Sequence, residues 1–368
     1  MIEADVVVVG AGPAGAACAL NLAPTRRVLL VDRREAAETR IGESLAPAAR
    51  RLLASMGLWD DFLGQGHSPA HGGRSVWGGA EPAERDSLRD LDGPGWHLDR
   101  SRFDDWLRAV AVQRGAALLI PAHPTAITRT GDTWRFDLII QERTAPVRAR
   151  LLVDATGRAA AVARGFGIRR TSLDRLVCGW LHGTDGPGRQ AGLTHIETEP
   201  DGWWYTAPLP DNRRVVAFHT DADLPSAAVA ASGPDVLLDR VSSLAFFSSV
   251  LAESGFTPNG EGGFCAAHGT VLAPATGDSW LAIGDAALGF DPLSSQGLFN
   301  ALYTGLAAAE AADRQLSGDT MALRQYQSTL ASVHDAYRTH LHAWYGLERR
   351  WADQPFWQRR QGFGRGDG

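Results

Sequence analysis

The sequence predicts an α/β protein. A parallel sheet covered by helices is interleaved with a second, mostly antiparallel sheet, and helices close the chain. Three observations carry this. The first is the opening stretch Val6-Val-Val-Val-Gly-Ala-Gly-Pro-Ala-Gly15. Four consecutive valines read as a strand buried on both faces, and Gly10, Gly12 and Gly15 follow at the spacing G-x-G-x-x-G. The second is a series of short strand-like segments from Leu176 onward, separated by turn-forming clusters. The third is helical periodicity over residues 298–316 and 321–351.

In the opening unit Gly10 permits a tight turn out of the strand, Gly12 lets the backbone approach a pyrophosphate, and Gly15 lets the next helix pack close to the sheet. Pro13 and Ala14 start that helix, predicted over 14–22, with a fixed φ suited to a first turn. Gly10, Gly12, Pro13, Ala14 and Gly15 thus form a candidate phosphate cradle at a helix N-terminus. A second apolar run, 28–31, ends in Asp32, the expected place for an acid that binds ribose hydroxyls, with Arg33 beside it. This is a Rossmann-type unit.

Arg40-Ile-Gly-Glu-Ser-Leu45 follows, then a helix over 48–56 and a Gly-, Pro- and His-rich stretch over 64–95 that reads as loops with short strands. Ser101, with Asp104 three residues on, is the expected cap of a helix whose apolar face holds Phe103, Trp106, Leu107 and Val110. Residues 115–120 are a third strand of the first sheet. Segments 127–130 and 134–140 flank a turn and read as a hairpin, and 151–153 returns to the sheet before Asp154-Ala-Thr-Gly157. Strands are expected over 177–182, 193–199, 202–208 and 213–220, one covering helix over 234–251, and a buried strand over 280–283 before Gly284-Asp285. The tail, 361–368, is Gly- and Arg-rich and is expected to be disordered.

The expected division assigns residues 1–75, 98–175 and 270–318 to the first domain, 76–97 and 176–269 to the second, and 319–360 to a C-terminal helical segment. A chain of 368 residues with net charge −6 gives no sign of nucleic acid as a partner. No run is long enough to span a membrane, and the acidic N-terminus enters a strand at once, unlike a signal peptide. Cys18, Cys178 and Cys265 are isolated in sequence, read as small buried hydrophobes, and fit a reducing cytoplasm. The histidines show no metal spacing, so no metal site is expected. All 36 basic residues are arginine, and there is no lysine.

Four further stretches carry chemistry: Gly42-Glu43-Ser44 after Arg40, Asp99-Arg-Ser-Arg-Phe-Asp104, Gly202-Trp-Trp-Tyr-Thr-Ala-Pro208, and Gly284-Asp285 with Asp291-Pro-Leu-Ser-Ser-Gln-Gly297. Together with the glycine turn they resemble the two-domain FAD-dependent monooxygenases. The nearest branch is that of the flavin-dependent halogenases and their non-halogenating relatives. These include flavoproteins that hydroxylate a residue inside a partner protein during maturation of quinone cofactors. The resemblance runs from residue 1 to about the end of the helix that starts at Leu298.

It implies a Rossmann-type FAD domain and a β-sheet substrate domain. It also implies that Asp285 binds a ribityl hydroxyl, and that Pro292, Gln296, Gly297 and Leu298 bring N–H groups to the flavin pyrimidine edge, where a helix N-terminus stabilises negative charge. Arg102 is implied to contact the cofactor, Asp154 and Gly157 to lie near the pyrophosphate, Thr125 to touch the adenine, and Arg40 and Ser44 to sit beside the isoalloxazine. Glu43 is the candidate catalytic base in that loop. A carboxylate at a helix start also satisfies free N–H groups, so that role stays open beside it. Trp203 and Tyr205 lie on one face of their strand and are the candidate substrate-pocket aromatics. This segment matches the halogenases' Trp-x-Trp-x-Ile-Pro only in part, with Tyr205 and Ala207 as the departures.

The implied reaction is hydroxylation of an electron-rich aromatic substrate, a small molecule or a residue in a peptide or protein, through a flavin C4a-hydroperoxide. NAD(P)H or a partner flavin reductase would supply the electrons. Halogenases of this group depend on an active-site lysine, which this chain lacks. Two other classes share parts of the pattern: flavin-dependent reductases of isoprenoid double bonds, and flavoproteins that bind without catalysis. Trp344 and Trp351, seven apart on the predicted C-terminal helix, are expected to help wall an aromatic pocket.

Overall fold

The computed structural model describes residues 1–36, 40–87, 90–141, 143–188 and 192–362. The valine run forms the strand Ile2–Val9, in which Val6, Val7 and Val8 are wholly buried. Both of its edges are paired in parallel, to Val28–Val31 on one side and Arg143–Asp154 on the other. The sheet continues in parallel to Ala117–Leu119 beyond Val28–Val31 and to Trp280–Ala282 beyond Arg143–Asp154. The predicted hairpin, Ala122–Thr130 and Thr133–Ile140, pairs antiparallel with the early part of Arg143–Asp154. Small residues let the helix Pro13–Leu22 lie close to this sheet, and only Asn21 of its ten residues escapes burial. The long helix Gly297–Leu316 crosses it closely: a Cβ on Gly305 would lie 2.6 Å from the Ala14 carbonyl oxygen.

The second sheet has seven strands in the order Thr257–Ala266, Leu176–Thr184, Arg213–Asp221, Gly202–Pro208, Leu193–Glu199, Gly72–Val76, Ala83–Asp86. All neighbours are antiparallel except Leu193–Glu199 with Gly72–Val76. Alternation splits it into two faces. Leu181, Trp204, Val216 and Phe218 face the helices Ser226–Ala231, Pro234–Val241 and Ala245–Ser254. Cys178, Trp203 and Ala217 face the rest of the protein, where Tyr345, Phe356 and Trp357 cover part of them.

Several expectations need correction. The helix Arg100–Gln113 is capped by Asp99, whose carboxylate accepts from the Arg102 N–H at 3.0 Å. Ser101 lies inside the first turn and donates to Asp99 instead. The single helix over 234–251 is two helices broken at residues 242–244, because Leu244 takes an extended conformation. The C-terminal helix is Ala322–Leu347 and ends where Glu348 turns extended. Trp351 therefore lies beyond it, in a turn, and Trp344 is 49% exposed, so the two do not share a helical face. Trp77 and Trp357 meet around Tyr345 instead. A further helix, Pro355–Gln361, includes the first residue of the expected tail, and 363–368 lie outside the described residues. The edge strand Thr257–Ala266 escaped the pattern because its Gly- and polar-rich sequence is exposed along most of its length. Gly72–Val76 already belongs to the second sheet, a few residues before the expected boundary.

Candidate active site

The glycine turn fits a pyrophosphate for reasons visible in its sterics. Gly10 has φ +108°, and a Cβ there would meet the Ala155 carbonyl oxygen at 2.2 Å. A Cβ on Gly15 would lie 1.8 Å from the Gly10 carbonyl oxygen. Both positions are closed by backbone. Gly12 differs: nothing lies within 4 Å of its Cβ position, which caps the helix Pro13–Leu22 and opens onto the space before its free N–H groups. Ala14, in the first turn, is buried. Gly157, φ +64°, is open in the same way on the neighbouring loop. These bare backbone surfaces are what an FAD pyrophosphate requires, so the residues present fit the cofactor.

Around this cradle the chain's own bonds fix the loops. Asp32 accepts from the Ala11 N–H at 2.8 Å with one oxygen and the Arg34 N–H at 2.9 Å with the other. Arg33 is exposed beside it. Ala122 donates to the Asp32 carbonyl at 2.6 Å, and three residues on Thr125 spends its hydroxyl on the Asp137 carbonyl. Asp154 is fully buried and holds its loop by accepting from Thr156 and from the Ala163 N–H. Asp285 keeps a 37% exposed carboxylate 3.5 Å from Arg158 Nε, free enough to meet a ribityl hydroxyl.

Arg108 reaches the glycine turn and Arg100 the Glu43 loop. Arg108 is buried and donates from Nε to the Ala11 carbonyl at 2.8 Å. Arg100 donates to the Gly42 carbonyl at 2.9 Å and pairs with buried Asp104. Arg102, two residues along, points elsewhere: it is 38% exposed, pairs with Asp211 at 2.8 Å and donates to the Gln65 and Gly66 carbonyls. Helical geometry explains this, since positions 100, 104 and 108 share a face at four-residue spacing and 102 does not.

The helix Gly297–Leu316 begins in an open surface. Pro292, Gln296 and Gly297 are exposed, Leu298 is buried, and no atom lies within 4 Å of the Gly297 Cβ position. The turn before it hangs on Asp291, which is buried and accepts from the Leu293 N–H at 2.9 Å and the Tyr345 hydroxyl at 2.8 Å. Burial, aided by the Asp174 charge, pushes its carboxyl up to about 6.

The second sheet packs against this turn, with Leu293 among Trp180, Tyr205 and Cys265. Glu43, 3% exposed, reaches from its loop so that Oε1 lies 3.0 Å from His182 Nε2, while Oε2 accepts from the Gly42 N–H at 2.7 Å. His182 Nδ1 is 3.5 Å from Glu261 Oε2, on the edge strand and half exposed. Arg40 stands half-buried at the start of the Glu43 loop. Ser44 Oγ lies 2.8 Å from the Tyr205 hydroxyl. Burial and then the Glu43 charge push the Tyr205 phenol well above its usual value, which keeps it protonated. Trp180, two residues before His182, tilts against its ring at 4.9 Å. Trp203 does not open onto this space. It is 1% exposed, stacks on His219 at 3.7 Å and donates to the Tyr345 hydroxyl at 3.2 Å, so it supports the Asp291 turn from behind.

The structure thus sets the Asp285 turn against Ala14 of the glycine turn, joins Glu43 to His182 and Ser44 to Tyr205, packs Trp203 against His219 and Tyr345, and pairs Arg102 with Asp211. His182, Trp180, Glu261, Arg100 and Arg108 were missed. The four-residue spacing of Arg100, Asp104 and Arg108 could have signalled the arginines. Nothing local marks His182, whose partner is 139 residues away.

The FAD binding domain family model matches residues 3–198. LodB of Marinomonas mediterranea, assigned as a FAD-dependent oxidoreductase, is 30% identical over 374 residues, spanning 98% of this chain and 97% of LodB. Among solved structures, the myxobacterial chondrochloren halogenase CndH superposes with a TM-score of 0.88 at 24% identity, over 98% of this chain and 86% of that one. QhpG, a peptidyl tryptophan dihydroxylase essential for tryptophylquinone cofactor biogenesis, superposes with a TM-score of 0.76 at 25% identity, over 100% of this chain and 80% of that one. No described helix is long and apolar enough to cross a membrane. With the phosphate cradle, the Asp285 turn and this family match in one chain, the protein belongs to the FAD binding domain family and is a FAD-dependent oxidoreductase whose fold is that of the flavin-dependent halogenases.

Proposed function

We propose that the protein is a monooxygenase that hydroxylates an electron-rich aromatic ring, most naturally a tryptophan side chain in a peptide or protein. The observation that carries this reading is the buried Glu43–His182 pair on the inner face of the second sheet, with Trp180 against His182 and Tyr205 bonded to Ser44 beside it. Bound FAD, reduced by NAD(P)H or by a partner flavin reductase, supplies the two electrons with which dioxygen is divided between substrate and water. The overall balance is ring–H, O₂, two electrons and two protons to ring–OH and water.

Gly12, Gly157, Asp285 and the N-terminus of Gly297–Leu316 would hold the cofactor. The chain's own part in the chemistry is positioning and proton handling. Glu43 Oε1 accepts the ring N–H or O–H proton as oxygen adds, which makes the ring a better nucleophile. His182, its Nε2 3.0 Å from that carboxylate, holds it in place, and Glu261 stands half exposed 3.5 Å from the other ring nitrogen. Ser44 and Tyr205 stay neutral donors and acceptors that orient the ring without competing for its proton. The aromatic rings beside the Glu43–His182 pair favour a flat, electron-rich substrate by stacking. The likeness to QhpG supports a tryptophan within a peptide.

Hydroxylation rather than halogenation follows from composition. The lysine route needs a compact ammonium, and an arginine head group, planar, delocalised and always charged, is a poor replacement. The test is turnover of a tryptophan-containing peptide with reduced FAD, isotopically labelled O₂ and excess chloride and bromide. Product carrying the oxygen label is expected. Halogenated product without the label overturns the reading.

A further inference from the structure

Cys178 and Cys265, 87 residues apart in sequence, are directly opposite each other on neighbouring antiparallel strands, Leu176–Thr184 and Thr257–Ala266. Residues paired in this way project to the same face. Their Cα atoms stand about 4.5 or 5.5 Å apart, depending on the ladder position. Both separations fall within the roughly 4.4–6.8 Å that a disulfide spans. Cys178 is buried and Cys265 is half-buried. Both belong to the inner face of the sheet, with Trp180, Tyr205 and Leu293 of the Asp291 turn. Glu43 and Arg158 are close enough to act on Cys265 through their charges, and Arg158 is the residue paired with Asp285. The pair therefore lies on the inner face of the sheet, within electrostatic reach of Glu43 and of the Arg158 that pairs with Asp285.

We propose that Cys178 and Cys265 are a second redox centre of the protein, a dithiol that a hydroperoxide closes to a cross-strand disulfide. The oxidant class is the one released when a reduced flavin meets dioxygen with no substrate bound, hydrogen peroxide above all. Cys265 attacks first. The neighbouring Cys178 thiol holds it below the usual thiol value against the opposing effect of burial, and Arg158 adds to this, whereas burial drives Cys178 upward. The Cys265 sulfur takes the distal oxygen of the peroxide: an S–O bond forms, the O–O bond breaks, and water leaves with the protons of the thiol and the peroxide. The Cys178 sulfur then displaces the hydroxyl from the resulting sulfenic acid. An S–S bond forms, the S–O bond breaks, and a second water leaves carrying the Cys178 proton. Two thiols and one peroxide give one disulfide and two waters. The closed pair also ties the exposed edge strand, with its Glu261, to the strand that carries His182. Cys18 is an internal control: it lies buried in the helix Pro13–Leu22, and burial pushes its thiol up to about 12.

This inference needs a hydroperoxide and does not depend on which substrate the enzyme oxygenates. The test exposes the full-length flavoprotein to a small molar excess of hydrogen peroxide, removes the peroxide, blocks free thiols by alkylation in denaturant, and maps a non-reducing digest by mass spectrometry. The expected result is a cross-linked peptide pair holding Cys178 and Cys265, two hydrogens lighter than the separate peptides and opened by dithiothreitol, with Cys18 alkylated throughout. In Cys178→Ala, Cys265 should be trapped by dimedone as the sulfenic acid. In Cys265→Ser, Cys178 should stay as alkylatable as in untreated protein. Persistence of both wild-type thiols under peroxide, or their oxidation to sulfinic acids with no cross-link, overturns the proposal whatever the variants do.

Discussion

The two sheets hold their sides of the site by different means. At the parallel sheet the site is backbone: bare glycines, helix ends and loops pinned by Asp32 and Asp154. At the seven-stranded sheet it is side chains that meet across elements: Glu43 with His182, Ser44 with Tyr205, Cys178 with Cys265. A backbone surface gives tight, sequence-tolerant binding of a constant group such as a pyrophosphate. A side-chain surface can be altered residue by residue, which suits the part of an enzyme that selects a substrate.

The largest effects test whether the glycines act as space or as structure. Gly15→Val places side-chain atoms where the Gly10 carbonyl stands and should destabilise the protein by about 4 kcal/mol or more, enough to lose soluble fold. Gly12→Ala meets no atom of the protein, so apoprotein stability should stay within about 0.5 kcal/mol while flavin occupancy falls sharply. Thermal unfolding and the ratio of flavin to protein absorbance read both. A fully yellow Gly12→Ala protein would break the assignment of the cradle.

On the other sheet, Glu43→Gln should leave flavin content and fold intact and lower kcat by on the order of 100-fold, with little change in KM, as loss of a positioned base does. Unchanged turnover would reduce Glu43 to a packing role. The two arginines sharpen the comparison further. Arg108→Leu removes a buried charged donor from the Ala11 carbonyl and should cost about 2 kcal/mol together with flavin affinity. Arg102→Leu removes a part-exposed pair with Asp211 and should change stability by less than about 1 kcal/mol, with flavin binding unaltered. Equal effects would erase the distinction between positions 102 and 108.

The smallest effect concerns how the C-terminal segment is fastened to the seven-stranded sheet. Burial pushes the Glu348 carboxyl upward, but bonds from Arg350, the Gly78 N–H and Thr198 outweigh this and hold it down to about 2. A folded-state value below the usual 4.5 means stability that is present above that value and lost as pH falls from about 4.5 toward 2. Glu348→Gln should remove this part of the acid sensitivity and lower stability at neutral pH by on the order of 1–2 kcal/mol. Tryptophan fluorescence followed across an acid titration would show it, and coincident wild-type and variant curves would contradict it.

How much was legible follows the same division. The strand Ile2–Val9, its glycines, Asp32 and the helix after them were readable because every requirement is met within 32 consecutive residues. Both hairpin strands and four strands of the second sheet followed from alternation and turns. The edge strand Thr257–Ala266 was not readable, because an exposed strand with glycines has no apolar period to detect. Trp203 and Tyr205 were correctly placed on one face, but which of them meets the Glu43 loop depended on Tyr345 and Phe356, more than a hundred residues later, covering Trp203.

By itself, then, the sequence determined the cofactor side of this protein and the absence of a lysine, since both rest on local order and on residue types that no folding can alter. Only the tertiary structure decided the reaction side: that Glu43 faces His182, that Arg108 rather than Arg102 supports the glycine turn, and that two isolated cysteines become opposite partners. Those contacts join residues that are far apart along the chain or turned to one helical face. They arise from strand register and helix phase, which no short stretch of sequence encodes.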